Sequence, residues 1–218
     1  MRRRRTAALS GEGESHRIAL VATVLLAFAT VATAWSGYQA SRWNAEGTKA
    51  TMRGTAARVE STRASDLANS QAQIDVAVFT QWANAYASGN KLLTDFYFKR
   101  FRPEFKPAVV AWIATRPLKN PNAPLTPFAM PQYTSQARDD AAQLETEADA
   151  WAVTARRNVQ RSTNYVLGVV LFAAALFFAG MSTKLPSRRL CIAMLTIGIV
   201  VFTTALVWIA TSPVSISV

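Results

Sequence analysis

Three stretches of this chain, residues 18–41, 162–183 and 190–218, contain no Asp, Glu, Lys, Arg or His. Each is at least as long as the roughly 20 residues a helix needs to cross the ~30 Å hydrocarbon layer of a bilayer. In lipid no water satisfies the backbone N–H and C=O groups, so a single run of that length is stable there only as a helix. The remaining composition agrees: 50% of the 218 residues are hydrophobic and 17% are charged, more apolar sequence than a soluble domain needs. The expected fold is an all-α membrane protein with transmembrane helices at 18–38, 164–183 and 190–211.

A net charge of +11 in a soluble protein would point to nucleic acid, but here the basic residues are first sorted by side of the membrane. Arg2, Arg3, Arg4, Arg5 and Arg17 precede the first span, and Lys184, Arg188 and Arg189 fill the connection between the second and third. The positive-inside rule puts both in the cytoplasm. The expected order is a basic cytoplasmic tail (1–17), an extracytoplasmic domain (39–163), a cytoplasmic loop (184–189) and an uncharged extracytoplasmic tail (212–218). Arg42, Lys49, Arg53, Arg156, Arg157 and Arg161 pull the other way, although long translocated segments obey the rule weakly. Membrane lipid is therefore an expected partner and nucleic acid is not. A cleaved signal peptide is the rival reading of the first segment, with Ala32-Thr33-Ala34 as its cleavage site. Against it stand Glu12 and Glu14 in the leading region, the uncharged run beyond that site, and Trp35 and Tyr38 at the depth of an aromatic belt.

No ionisable side chain lies in the middle of any span, which argues against a pump or secondary transporter. Ala19, Thr23 and Ala27 in the first span, and Ala175 and Ala179 in the second, have the small-residue spacing that permits close helix packing, unless Ala and Thr are simply common there. One cysteine and one histidine, Cys191 and His16, exclude an internal disulfide, a Cys/His zinc site and a Cys–His nucleophilic pair. Without a second histidine there is no Ser-His-Asp triad beyond the first span, and no glycine loop with its lysine cradles a phosphate. The expectation is no catalytic residue, no metal, no cofactor and no enzymatic activity.

Beyond the first span no proline occurs before Pro103 and no turn cluster before Ser88-Gly89-Asn90, so one helix can continue out of the membrane. Along it, Ser36, Ala40, Trp43, Gly47, Ala50, Gly54, Ala57, Ser61, Ala64 and Ala68 alternate spacings of four and three, a heptad seam of mostly small residues. Ala137, Ala141, Leu144, Ala148, Trp151, Ala155, Asn158 and Ser162 repeat the spacing ahead of the second span. The two stripes predict an antiparallel, coiled-coil-like stalk (39–70 with 133–163), packed through Trp43, Gly47, Gly54, Ala57, Leu144, Ala148 and Trp151. Its return helix starts near Thr134 or Ser135. The basic residues along the stalk form either a collar over anionic head groups or a solvated, partly ion-paired surface.

Residues 71–132 must then fold on themselves as a tip. Ile74, Val78, Trp82 and Ala85 form a helical stripe, Leu92 to Phe101 an aromatic-rich second segment, and Val109, Val110, Trp112 and Ile113 a short third helix. Seven of nine prolines fall between Pro103 and Pro131, and the last five of these predict an extended, semi-rigid strap. The strap either lies across the aromatic tip or is offered to a partner. Candidate ligand or partner contacts in the tip are Arg102, Glu104, Trp112, Arg116 and Phe128.

The stretches Ala34-Trp35-Ser36-Gly37-Tyr38-Gln39-Ala40 with Arg42-Trp43-Asn44, Phe101-Arg102-Pro103-Glu104-Phe105-Lys106-Pro107, and Arg116-Pro117-Leu118-Lys119-Asn120-Pro121-Asn122-Ala123-Pro124 through Pro127-Phe128-Ala129-Met130-Pro131 give the chain a family likeness. It resembles a group of bacterial three-span integral membrane proteins of unknown function. The resemblance implies a multi-pass protein of the bacterial inner membrane and carries no activity. The function expected from the residues is a non-enzymatic interaction or assembly module, engaging a protein partner or a second copy of itself. A sensor of small extracytoplasmic ligands, or an accessory subunit of a membrane complex, is the alternative. A channel, the third possibility, has only Thr196, Thr203 and Thr204 as pore-lining candidates.

Overall fold

The computed structural model describes residues 2–215, with side chains from residue 18 onward. The side chains of the basic tail and the last three residues of the 212–218 tail lie outside the described residues. The elements are α1 (Arg2–Ala87), α2 (Lys91–Arg100), α3 (Lys106–Ala114), a 3-10 turn (Pro127–Ala129), α4 (Gln136–Ser182) and α5 (Arg188–Ala210), with no strand among the described residues. Segments of α1, α4 and α5 are long and apolar enough to cross a membrane, so the chain reads as multi-pass. It divides into two compact units, Met1–Met52 with Trp151–Val218, and Arg53–Ala150. Both boundaries fall within the stretch expected to form the stalk.

In the first unit the three apolar helices pack on one another through small residues. Ala22, Leu25 and Ala29 of α1 are buried, as are Ala175 and Ala179 of α4 and Leu195 of α5. A Cβ placed on Gly198 would lie 3.4 Å from the Ala175 carbonyl oxygen and the Ala179 amide nitrogen, so α5 touches the backbone of α4. Close approach of this kind replaces hydrophobic driving force in lipid, where tails are as apolar as the side chains. Ala19, Thr23 and Ala27 of α1 are exposed, and the face that packs on the other two apolar helices lies one step around at Ala22, Leu25 and Ala29. Burial follows the large neighbours it contacts, and small size alone does not identify the packed side. Leu20, Phe28, Val31, Val170, Phe177 and Val207 point outward, as hydrocarbon-facing positions should. The hydroxyls of Thr23, Thr30, Thr196 and Thr203 donate to carbonyls one turn back in their own helices, which satisfies them without water.

A second cluster holds Ala40, Trp43, Tyr165, Phe172, Ala205 and Ile209. Here the segment following α5 is clasped. The Trp43 indole N–H and the Tyr165 hydroxyl both donate to the Pro213 carbonyl, at 3.1 and 3.2 Å, and the Ser215 amide donates to Gln39 Oε1 at 3.1 Å. The Arg161 guanidinium lies 4.4 Å from the centre of the Trp43 ring, and Ser162 donates to the Ala40 carbonyl at 2.8 Å. At Gly47 a Cβ would sit 3.2 Å from Val159 Cγ2, tight enough that the valine must give way, and in ordinary contact with the Ala155 carbonyl at 3.6 Å.

Candidate functional site

The second unit begins with the outer part of the seam. Gly54, Ala57, Ser61 and Ala68 of α1 are buried, as are Ala137, Ala141 and Ala148 of α4, while Ala64 and Leu144 are half-buried. The Ser61 hydroxyl donates to the Ala141 carbonyl at 2.9 Å, a bond across helices that only small side chains allow. Arg58 pairs with Asp149 at 2.8 Å and Glu145 at 3.5 Å, and all three are well exposed. Contact positions rise along α1 as they fall along α4.

The turn out of α1 is set by Gly89 at φ +72°, where L side chains are strained. Asn90 N–H reaches the Ala85 carbonyl and Gly89 N–H the Tyr86 carbonyl, the paired bonds of a Schellman stop. Asn90 then caps α2 by accepting from Leu93 N–H at 3.2 Å. Pro107 opens α3 without cost, since its missing N–H would have had no helical partner. Ser135 opens α4: its hydroxyl and its carbonyl both accept from Arg138 N–H.

Inside these turns Trp82, Phe101, Phe105, Ala108, Val109 and Trp112 form a buried core. Phe105 stacks on Phe128 at 4.9 Å and meets Tyr133 edge-on at 5.5 Å. Phe79 meets Trp112 and Phe128 edge-on at 5.4 and 5.8 Å. Edge-to-face and offset-stacked rings complement one another's quadrupoles, which adds to the area they bury.

One polar network sits against this core. Arg102 Nε donates to both oxygens of Asp75 at 3.0 and 3.3 Å, its Nη2 donates to Asp75 at 3.0 Å, and its Nη1 donates to Glu104 at 2.9 Å. The Tyr133 hydroxyl completes it at 3.4 Å from Asp75. The guanidinium is held protonated beyond even its ordinary range, chiefly by its hydrogen bond to Asp75. Burial, followed by the nearby Asp75 charge, raises the Tyr133 phenol above its usual value.

The five residues expected as ligand contacts are therefore distributed. Arg102 and Glu104 come together in the ion-paired network, and Trp112 and Phe128 join the aromatic core. The Trp112 indole donates to the Pro124 carbonyl at 2.6 Å. Arg116 stands apart at φ 55°, lining a shallow pocket of about 300 Å³ with Tyr86, Ile113, Pro117, Leu118 and Lys119. Sequence reasoning missed Asp75 and Tyr133. Ala68, Asp75 and Trp82 lie seven residues apart, so the heptad seam continues through Asp75, and an acid on a buried stripe signals a basic partner. The predicted stripe is corrected at this point, since Ile74 is exposed and Asp75 occupies the inward position.

The extended strap is also corrected. Polyproline II has no internal hydrogen bonds, whereas here Lys119 and Asn120 donate to the Arg116 carbonyl, Ala123 to Asn120, Met130 to Pro127 and Tyr133 to Met130. The segment is a chain of tight turns, with Pro127 and Phe128 packed on the core. Among the described residues no three His, Cys, Asp or Glu side chains converge as a metal site would require. No protein-family model matches the chain, and no curated protein or solved structure is similar to it.

Proposed function

We propose that the chain is a non-enzymatic interaction or assembly module of the bacterial inner membrane, with its N-terminus in the cytoplasm and residues 39–163 outside. In this reading it belongs with the three-span bacterial proteins it resembles. Residues 39–70 and 133–163 form an antiparallel, coiled-coil-like hairpin, and the proline-rich tip is its recognition element. The observation that carries the reading is where the tip's polar and aromatic groups point. Arg102 is engaged by Asp75 and Glu104, the Trp112 indole by Pro124, and Phe128 by Phe105, which leaves recognition to the outer surface of the tip. In-cell crosslinking of the full chain, followed by affinity capture, tests it. Covalent self-association or a reproducible envelope partner is expected, and a monomer with no partner overturns it.

The Arg116 pocket favours a second reading, a sensor of small anions, because two cations, Arg116 and Lys119, line it together with Tyr86. A thermal-shift screen of the full chain against acidic metabolites tests this, and no Arg116-dependent hit would discard it.

A further inference from the structure

Helix α2 is anomalous in the tip because none of its residues is buried. Its exposed side chains include Leu92, which keeps 78% of its surface, Leu93 at 39% and Phe96 at 44%. At 100° per residue these three fall on one side of the helix, with Lys99 and Arg100 on the same side and Tyr97 and Phe98 turned toward the core. The Arg100 guanidinium lies over the Phe96 ring, 3.4 Å from its centroid. The helix holds Lys91, Lys99 and Arg100 against Asp95, and residues 71–132 hold seven basic residues against three acidic ones. Two of those acids, Asp75 and Glu104, are engaged by Arg102.

We infer that the outward face of α2 docks on an anionic lipid surface. This deepens the proposed interaction function, on which it rests, by naming the chemistry of one partner. Large apolar side chains with cations about one turn further along the same face match the boundary between acyl chains and phosphates. Lys and Arg stems lie along the apolar surface while their charged heads reach the phosphate level. Arg100 lies over the Phe96 ring with its Nη1 donating to the Phe96 carbonyl at 3.1 Å, so a cation and an aromatic ring already share this face. The face is convex and only about three turns long, and a fluid lipid layer conforms to such a shape without needing a complementary groove.

The test uses the full chain in phosphatidylcholine nanodiscs, mixed with sedimentable vesicles of phosphatidylcholine alone or with phosphatidylglycerol. The wild type is expected to sediment with the phosphatidylglycerol vesicles and not with phosphatidylcholine alone. The triple variant Leu92→Ser, Leu93→Ser, Phe96→Ser, which keeps every charge, is expected to lose about tenfold in partitioning. Equal partitioning of wild type and triple variant overturns the inference, because the binding then belongs to another basic segment. No binding by the wild type overturns it as well. As a readout independent of that variant's folding, an environment-sensitive dye on Leu92→Cys in a Cys191→Ser background should shift to the blue on phosphatidylglycerol vesicles. An unshifted dye overturns the inference. Crosslinking on the same nanodisc sample separates the two ideas: self-association without vesicle binding removes the lipid face alone, and vesicle binding without any protein contact removes the protein-assembly reading alone.

Discussion

Asp75 and Arg102, 27 positions apart in the chain, are joined by a forked set of three hydrogen bonds in which the carboxylate keeps 1% of its surface. A charge that deep is tolerable only because the guanidinium, itself largely covered, meets both of its oxygens. The pair ties the C-terminal part of α1 to the segment between α2 and α3.

Removing Asp75 strips the largely covered guanidinium of three of its four hydrogen bonds and leaves it Glu104 alone. Asp75→Ala should therefore destabilise the tip by about 3 kcal/mol or more, read by loss of the near-ultraviolet aromatic signal on heating the purified protein. The double variant Asp75→Leu, Arg102→Met should recover much of that loss, because apolar replacement of a buried pair is close to neutral. A double variant no better than the single one would show that the pair itself is needed to order the fold.

Tyr133 gives the tip a pH dependence. Its phenol is raised by burial and by Asp75, so the folded state holds the proton more tightly than the unfolded chain does. The stability linked to it is fully present below the ordinary tyrosine value near 10 and is lost as pH rises through the elevated folded value. The melting temperature should fall more steeply above about pH 10 in the wild type than in Tyr133→Phe. Parallel curves would rule this out.

The hydrogen bond and the packing that hold the proline-rich turns can be separated by one substitution. Trp112→Phe keeps most of the ring and removes the donor to Pro124, at an expected cost of about 1–2 kcal/mol. Limited proteolysis should then cut first between residues 116 and 126. An unchanged cleavage pattern would mean that Pro127 and Phe128 hold the segment by packing alone.

Within the apolar helices, Gly198 and Gly180 form a matched contrast. Gly198→Leu places its side chain against the α4 backbone and should cost about 1–3 kcal/mol, whereas nothing lies within 4 Å of a Cβ at Gly180, and Gly180→Leu should leave thermal stability unchanged. Equal effects of the two would show that helix propensity dominates the response.

The helical class and the three apolar segments were legible because a bilayer permits few solutions to backbone hydrogen bonding. The turn at Gly89 and the start of α4 after Ser135 were legible as local chemistry that depends on a few neighbouring residues. Three features were not. Which side of α1 packs in the membrane depends on where α4 and α5 lie, and composition does not encode that when Ala and Thr occur all around the helix. Arg102 looked like a free anchor because its partner, Asp75, is far away in sequence and stands next to a more conspicuous Ile74. The proline spacing invited an extended strap, yet proline fixes only its own φ, and the residues between supplied the N–H groups that close the turns.

The clasp on Pro213 also sets a sequence in time. A ribosome releases Trp43 and Tyr165 before Pro213, so while α1 and α4 first meet in the bilayer, their indole and phenol donors still lack the carbonyl that joins them. Docking of α5 carries that carbonyl to them, which makes the third helix the latch that completes the other two.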